Sequence, residues 1–147
     1  LISDSGTPAI FDPGYLVVRE TIKNKNSVEL LSGPTAFVPA LMQSCLPNHP
    51  FNFEAFLPPK KGQLNRLAKP AQEAPTLILY ESPPKPLKTL NQFKAICGET
   101  RQSSISRELT KLHEETFRGS LEEAITYFEQ KAPKGEFVLW LSGKSKK

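Results

Sequence analysis

Apolar and polar residues follow different patterns on the two sides of residue 47. Before it, Leu1–Ser3 has the composition of the end of a buried strand, and helical spacing predicts a helix from Pro13 to about Lys23. Val28–Leu31 predicts a short strand, and Pro34–Ser44 predicts a second helix. The order strand, helix, strand, helix is typical of the closing part of a parallel sheet. We therefore predict that residues 1–47 end a first α/β domain.

Beyond a proline-rich boundary the strands are longer and their connections resemble hairpins. The period-two alternation of Phe51–Phe56 and the apolar run Thr76–Tyr80 predict two strands. The remaining patterns predict three more strands and two helices, one of which opens with the capping box Ser120–Glu123: strands at Gln102–Arg107, Glu115–Gly119 and Phe137–Leu141, and helices from Leu87 to Cys97 and after Ser120. Residues 48–147 therefore predict a second α/β domain.

Composition and net charge indicate a globular protein but do not identify its binding partner. In 147 residues, 38% hydrophobic and 23% charged residues are a globular balance, and no apolar run is long enough to cross a bilayer. The net charge of +4 permits a polyanionic partner but does not require one. Cys45 and Cys97 are too few for a disulfide framework or a zinc site, so we expect reduced thiols, a cytoplasmic location and no metal.

Two turns rich in glycine and small residues each stand between a predicted strand and a predicted helix. Ligands in open α/β sheets lie beyond the carboxyl ends of strands, and amides at a helix N-terminus favour a carboxylate. Gly6 and Gly14 permit positive φ and close backbone approach. Either the turns hold a ligand, or their small residues serve only the turn geometry. The candidate ligand contacts are Asp4, Gly6, Thr7, Pro8, Gly33, Pro34, Thr35 and Ala36.

One stretch of the chain concentrates basic residues. Lys60, Lys61, Arg66 and Lys69 follow the Phe51–Phe56 strand in a segment punctuated by proline, which predicts a loop with a short helix. Such a cluster can neutralise RNA phosphates and make binding salt-dependent. A solvated basic loop without a partner explains it equally well.

Five stretches, in order, resemble the tetrapyrrole methylase-like superfamily. The loop Asp4–Pro8 with Asp12-Pro13-Gly14 is similar to the family's SDAGTP-x-x-x-DPG segment, and four later stretches match as well: LSGPTA at 31–36, FEAFLP at 53–58, YESP at 80–83 and SRELTK at 106–111, with Lys134-Gly135-Glu136 before the last strand. The resemblance implies an α/β fold in which the end of a parallel-sheet domain precedes a mixed-sheet α/β domain. It also implies S-adenosyl-L-methionine as the cofactor, bound in the cleft between the two domains.

The similarity is greatest to members that methylate small-subunit ribosomal RNA. It implies RNA as a partner, a homodimer, and a cytidine methylated on its 2′-oxygen. Because the chain begins inside a predicted strand, and the family's N-terminal Pro-x-Gly-Asn signature is not in it, we expect the C-terminal part of a longer protein with little activity alone. Pro84 and Lys85 stand where the family usually has His-Arg, and Ala55 and Cys45 where glycine is common.

Methyl transfer to a ribose hydroxyl requires alignment and benefits from a base or a cation as the proton leaves. Charged groups at the ends of two predicted strands are the catalytic candidates: Glu81, Arg107, Glu108 and Lys111. If those strands are neighbours, the groups converge at one end of the sheet. Alternatively, Arg107 and Glu108 pair with each other or cap local backbone. Two other functions remain open: a methylase of a small molecule such as a tetrapyrrole, and a non-catalytic module that binds RNA or a partner.

Overall fold

The computed structural model describes residues 1–3, 6–10, 13–57, 63–83, 85–131 and 134–144, and for residues 63–66 the backbone alone. The chain divides into two compact units, residues 1–36 and residues 37–147, which we call unit 1 and unit 2. The domain boundary that the sequence predicts at residue 47 stays a prediction.

Unit 1 contains one helix, α1 (Tyr15–Lys23), within its described residues. It follows Gly14 and ends at Lys23, so the predicted helix is confirmed. The predicted strands at Leu1–Ser3 and Val28–Leu31 are wrong, because neither segment is a strand. A strand needs a neighbour for its backbone hydrogen bonds, and no described part of unit 1 pairs with either segment. An apolar run by itself therefore did not determine a strand here.

Unit 2 contains the elements that its sequence pattern predicts. In chain order they are α2 (Phe37–Ser44), β1 (Phe51–Phe56), α3 (Gln63–Gln72), β2 (Thr76–Glu81), α4 (Pro86–Cys97), β3 (Gln102–Arg107), β4 (Glu115–Ser120), α5 (Leu121–Gln130) and β5 (Phe137–Leu141). Helix α2 begins at Phe37 instead of Pro34. Pro39 therefore lies in its first turn, where a missing amide proton costs no helical hydrogen bond. The capping box of α5 is present as predicted.

The five strands form one mixed sheet in the order β1-β2-β5-β3-β4. Strands β1 and β2 are parallel, and the other neighbouring pairs are antiparallel. The last strand, β5, lies in the middle of the sheet. It places Phe137 opposite both Glu81 of β2 and Arg107 of β3, at one end of the sheet.

Helices cover both faces of this sheet. On one face α3, α4 and α5 bury a large core that includes Leu67, Leu90, Phe93 and Phe128. On the other face α2 packs on a smaller cluster of Ala40, Ile78, Val138 and Trp140. No helix in the described part of the chain is both long and apolar enough to cross a membrane.

Candidate functional site

The two candidate ligand-binding turns of unit 1 contact each other. The Thr7 hydroxyl donates to the Pro34 carbonyl at 2.9 Å, and its oxygen lies 2.8 Å from the Thr35 hydroxyl. Gly33 lies beside this contact, and a Cβ there would stand 3.4 Å from Thr7 Oγ1, an ordinary van der Waals distance. The segment containing Gly6, Thr7 and Pro8 and the segment from Gly33 to Ala36 are thus brought together. Asp4 lies outside the described residues.

The backbone of the first turn takes conformations that favour glycine. Gly6 has φ +75° and Gly14 has φ +154°, and a Cβ on Gly14 would lie 2.9 Å from Leu1 Cδ2. The positive φ expected of these two glycines is therefore observed. Ala9 has φ +67° in a turn closed by the Ile10 amide on the Thr7 carbonyl at 3.2 Å. A non-glycine residue in this region is strained, and such strain concentrates at functional sites.

In unit 2 the N-terminus of α2 has a partner that the sequence does not indicate. The Phe37 amide donates to the Tyr80 hydroxyl oxygen at 3.2 Å. Burial raises the pKa of Tyr80, and the hydrogen bond from Phe37 partly offsets that rise. The first amide of α2 is therefore already engaged.

The structure separates Glu81 from the other three catalytic candidates. Glu81 and Arg107 lie at the same end of the sheet, but β5 and its Phe137 stand between them. Glu81 is only 2% exposed, and its carboxylate accepts from the Thr89 hydroxyl at 2.7 Å and the Ser82 amide at 3.2 Å. These contacts attach the end of β2 to α4. They leave Glu81 poorly placed to take a proton from a bulky substrate.

Arg107, Glu108 and Lys111 are brought together where β3 ends. Glu108 Oε1 accepts from the Glu136 amide at 2.8 Å and from Lys111 Nζ at 3.1 Å. Lys111 also bonds the Glu136 carboxylate at 2.9 Å. The Glu136 amide and then Lys111 lower the pKa of Glu108, while Glu136 and then Glu108 raise the pKa of Lys111. Glu108 is thus a carboxylate held in its charged form.

Glycine before β5 makes this arrangement possible. Gly135 has φ +87°, and a Cβ on it would lie 2.5 Å from the Glu108 side chain. Glu108 itself has φ +48°. The Lys-Gly-Glu stretch and the end of the SRELTK stretch therefore pack against each other. Glu108 binds the Glu136 amide, 28 residues along the chain, instead of local backbone.

Glu115 on β4 is a member of this region that the sequence analysis did not single out. It stands opposite Arg107 in the β3–β4 register, and its Oε2 lies 3.6 Å from Arg107 Nη2. Its Oε1 accepts from the Tyr127 hydroxyl and, at 2.9 Å, from Lys131 Nζ. These bonds, Tyr127 first, lower the pKa of Glu115. The strand alternation on β3 and β4 would have found it, because it predicts which side chains share a face.

The predicted basic cluster is only partly described. Lys69 is exposed on α3. Lys60 and Lys61 lie outside the described residues, and the side chain of Arg66 is not described either. The described residues contain no group of three His, Cys, Asp or Glu side chains that could hold a metal ion.

Two positions where the family commonly has glycine have positive φ in the structure. Ala55 has φ +51° where β1 bulges against β2, and Cys45 has φ +58° directly after α2. Both values lie in the left-handed region that favours glycine. Lys85 precedes α4, which starts with Pro86, and Pro84 lies outside the described residues.

Comparison with known proteins supports the same family over most of the chain. The family model described as Tetrapyrrole (Corrin/Porphyrin) Methylases matches residues 1–125. The chain belongs to this family. The resemblance stated from the sequence is therefore confirmed.

Curated relatives carry the printed name "Ribosomal RNA small subunit methyltransferase I". One from Thermotoga maritima is 42% identical over 144 residues, which are 98% of this chain and 64% of the relative. One from Halalkalibacterium halodurans is 44% identical over 148 residues, which are 100% of this chain and 51% of the relative. The chain thus spans about half to just under two thirds of the length of these relatives.

Solved structures confirm the fold class. The methyltransferase CobJ matches with a TM-score of 0.68 at 18% identity, over 94% of this chain and 62% of its own. Diphthine synthase matches with a TM-score of 0.69 at 13% identity, over 95% of this chain and 58% of its own. A third match is uroporphyrin-III C-methyl transferase from Thermus thermophilus, complexed with S-adenyl homocysteine. Its TM-score is 0.60 at 15% identity, over 92% of this chain and 62% of its own.

Proposed function

We propose that this chain supplies part of an S-adenosyl-L-methionine-dependent methyltransferase that acts on small-subunit ribosomal RNA. Family membership and the names of the relatives support the reaction and the substrate. The structural observation that supports a cofactor site most directly is the contact between the two turns of unit 1 through Thr7. It joins segments 28 residues apart in sequence into one polar surface.

The residues of these turns fit an adenosine-type cofactor with an amino-acid tail. Small side chains and glycine leave backbone amides and carbonyls accessible, and such groups bind adenine and carboxylate. We assign cofactor contact to Thr35, Ala36 and the backbone from Gly6 to Pro8, and we keep Asp4, Gly33 and Pro34 as further candidates. When bound, the cofactor supplies a methyl group on a sulfonium, which is already a good leaving group.

The chain's own residues then have to orient a ribose hydroxyl and accommodate its proton. Among the catalytic candidates, Arg107 is the one best suited to stabilise developing negative charge, because it is a cation whose Nη2 makes only long contacts, at 3.5 Å and 3.6 Å. Lys111 pairs with both Glu108 and Glu136, and these ion pairs hold the loop after β3 in place. Glu81 acts on the β2–α4 connection. A 2′-O-methylated cytidine, a homodimer and a cytoplasmic location belong to this proposal as well.

Methylation of small ribosomal subunits by the protein at the length of its curated relatives tests the proposal. With a cofactor that carries a labelled methyl group, we expect label in small-subunit RNA, in a nucleotide whose 3′-linkage resists alkaline hydrolysis. That resistance follows because a 2′-O-methyl group removes the hydroxyl that attacks the phosphodiester. Label on a base would contradict methylation of the 2′-oxygen. Transfer to a tetrapyrrole, with none to RNA, would overturn the RNA substrate.

A further inference from the structure

A pocket of about 270 Å³ opens at the end of β3, where the loop after β3 meets the loop before β5. Arg107, Glu108, His113, Lys134 and Gly135 line it. All five belong to unit 2, and neither His113 nor Lys134 was among the sequence-based site candidates. The proposed cofactor turns lie in unit 1.

One nitrogen of the Arg107 guanidinium, Nη2, has polar partners, whereas its Nε has none among the described residues. Its Nη2 donates to the His113 carbonyl at 3.5 Å and lies 3.6 Å from Glu115 Oε2. Its Nε is buried and has no acceptor among the described residues. Because both contacts of Nη2 are long and Arg107 lines the pocket, a ligand that brings an acceptor oxygen can compete for the guanidinium.

The other polar groups of the pocket point to the same kind of ligand. Glu108 is ion-paired with Lys111, which Glu136 shares, and its Oε1 is also bound to the Glu136 amide. Lys134 is exposed and makes no ion pair within the described residues. A ligand thus meets Arg107 and Lys134 as cations, beside a Glu108 carboxylate that is already ion-paired and hydrogen-bonded.

We propose that this pocket binds a phosphodiester of the RNA substrate, with Arg107 and Lys134 as the two cations. The inference rests on the proposed RNA substrate and deepens it by naming a contact. Guanidinium groups bind phosphate oxygens in a planar fork, and an exposed lysine adds a mobile point charge. The pocket is open at the surface, which suits a phosphate within a polymer because the chain has to enter and leave.

The test compares two lysine substitutions in the full chain, Lys134→Gln in the pocket and Lys88→Gln on α4. Lys88 is also exposed and makes no ion pair within the described residues, but it does not line the pocket. Binding of a short single-stranded oligoribonucleotide is measured over a range of salt concentrations. We expect Lys134→Gln to weaken binding roughly three- to tenfold and to reduce the slope of log affinity against log salt by about 1. Lys88→Gln should change neither.

Two further readouts separate this inference from the proposed function and from misfolding. Affinity for S-adenosylhomocysteine, measured with Lys134→Gln in the protein at the length of its curated relatives, and the urea midpoint of Lys134→Gln should equal those of the parent. Arg107→Lys, which keeps the charge but loses the planar fork, should weaken RNA binding as well. Equal RNA binding by the two glutamine variants would overturn the proposal that the pocket binds a phosphodiester, and it would leave the proposed methyltransferase function unaffected. Weaker cofactor binding with unchanged RNA binding would also overturn it, as would absence of RNA binding by the parent.

Discussion

The two compact units of the chain differ in how they hold their shape. In unit 1, no residue of α1 is buried, and Leu16 is 59% and Leu31 87% exposed. In unit 2, large apolar side chains such as Phe93 and Phe128 are about 1% exposed between the sheet and its helices. Unit 1 is stabilised by hydrogen bonds within and between its turns, whose glycines have positive φ. Unit 2 is stabilised by a core of buried apolar side chains. The candidate cofactor turns are thus formed where little apolar surface is buried.

The proposed functions divide along the same line. The candidate cofactor turns belong to unit 1, and the candidate catalytic groups and the proposed phosphate pocket belong to the end of the sheet in unit 2. Predictions that contrast the units therefore test both the account of stability and the account of function.

The largest expected contrast is between two leucine truncations. Leu90→Ala in unit 2 should lower the free energy of unfolding by roughly 2–5 kcal/mol, because Leu90 is 1% exposed. Leu16→Ala in unit 1 should change it by no more than about 0.5 kcal/mol. Urea unfolding followed by far-UV circular dichroism and by the fluorescence of the single tryptophan measures both. Equal effects would show that α1 packs on a core as tightly as α4.

The second contrast lies within unit 2, between two glycines with similar positive φ. Gly98 has φ +84° with open space around it, so Gly98→Ala pays only backbone strain of about 1–3 kcal/mol. Gly135→Ala adds a clash with the Glu108 side chain and should cost roughly 1–3 kcal/mol more. Chemical denaturation of the two variants gives the difference. If Gly135→Ala costs no more than Gly98→Ala, Glu108 is not packed against Gly135.

A smaller effect, of opposite sign, is expected at the end of α2. Cys45 is exposed with φ +58°, so Cys45→Gly should raise the free energy of unfolding by about 1 kcal/mol. Cys45→Ala is the matched control, because alanine keeps the strain and removes only the thiol. Thermal unfolding should separate the two variants. A Cys45→Gly variant no more stable than Cys45→Ala would argue against a left-handed residue at this helix end.

The smallest expected effect concerns acid stability. The pKa of Glu108 is lowered in the folded state, so the unfolded state binds more protons as the pH falls past the ordinary value of 4.5. The stabilisation is present above about pH 4.5 and is lost as the pH falls through the lowered pKa. Glu108→Gln should therefore flatten the acid limb of a stability–pH curve, and Glu29→Gln, an exposed residue of unit 1, should not. An unchanged limb in Glu108→Gln would contradict the Glu108 contacts.

Much of unit 2 could be predicted from its sequence because the signals are local. Period-two alternation predicted β1, helical spacing predicted α4, and Ser120 with Glu123 predicted the start of α5. The strand predicted at Val28–Leu31 is wrong because a strand depends on a neighbour as well as on its own residues.

The site was less predictable, because its geometry depends on contacts between residues distant in sequence. The central position of β5 separates Glu81 from Arg107, and no local pattern indicates that order of strands. The Phe37–Tyr80 bond joins residues 43 apart, and the Thr7–Thr35 contact joins residues 28 apart. The family motifs did include both candidate cofactor turns of unit 1 and the two loops that contain Glu108 and Gly135. They did not indicate which charged side chains in those loops form ion pairs with one another.

Calorimetric titration of S-adenosylhomocysteine tests the central claim most directly. It would be carried out on this chain, on the protein at the length of its curated relatives, and on the Thr7→Val variant of that longer form. We predict binding by the longer form, little or none by the chain alone, and roughly tenfold weaker binding by Thr7→Val, which loses the hydroxyl that joins the two turns. Absence of binding by both the chain and the longer form would contradict the cofactor site and the methyltransferase function with it.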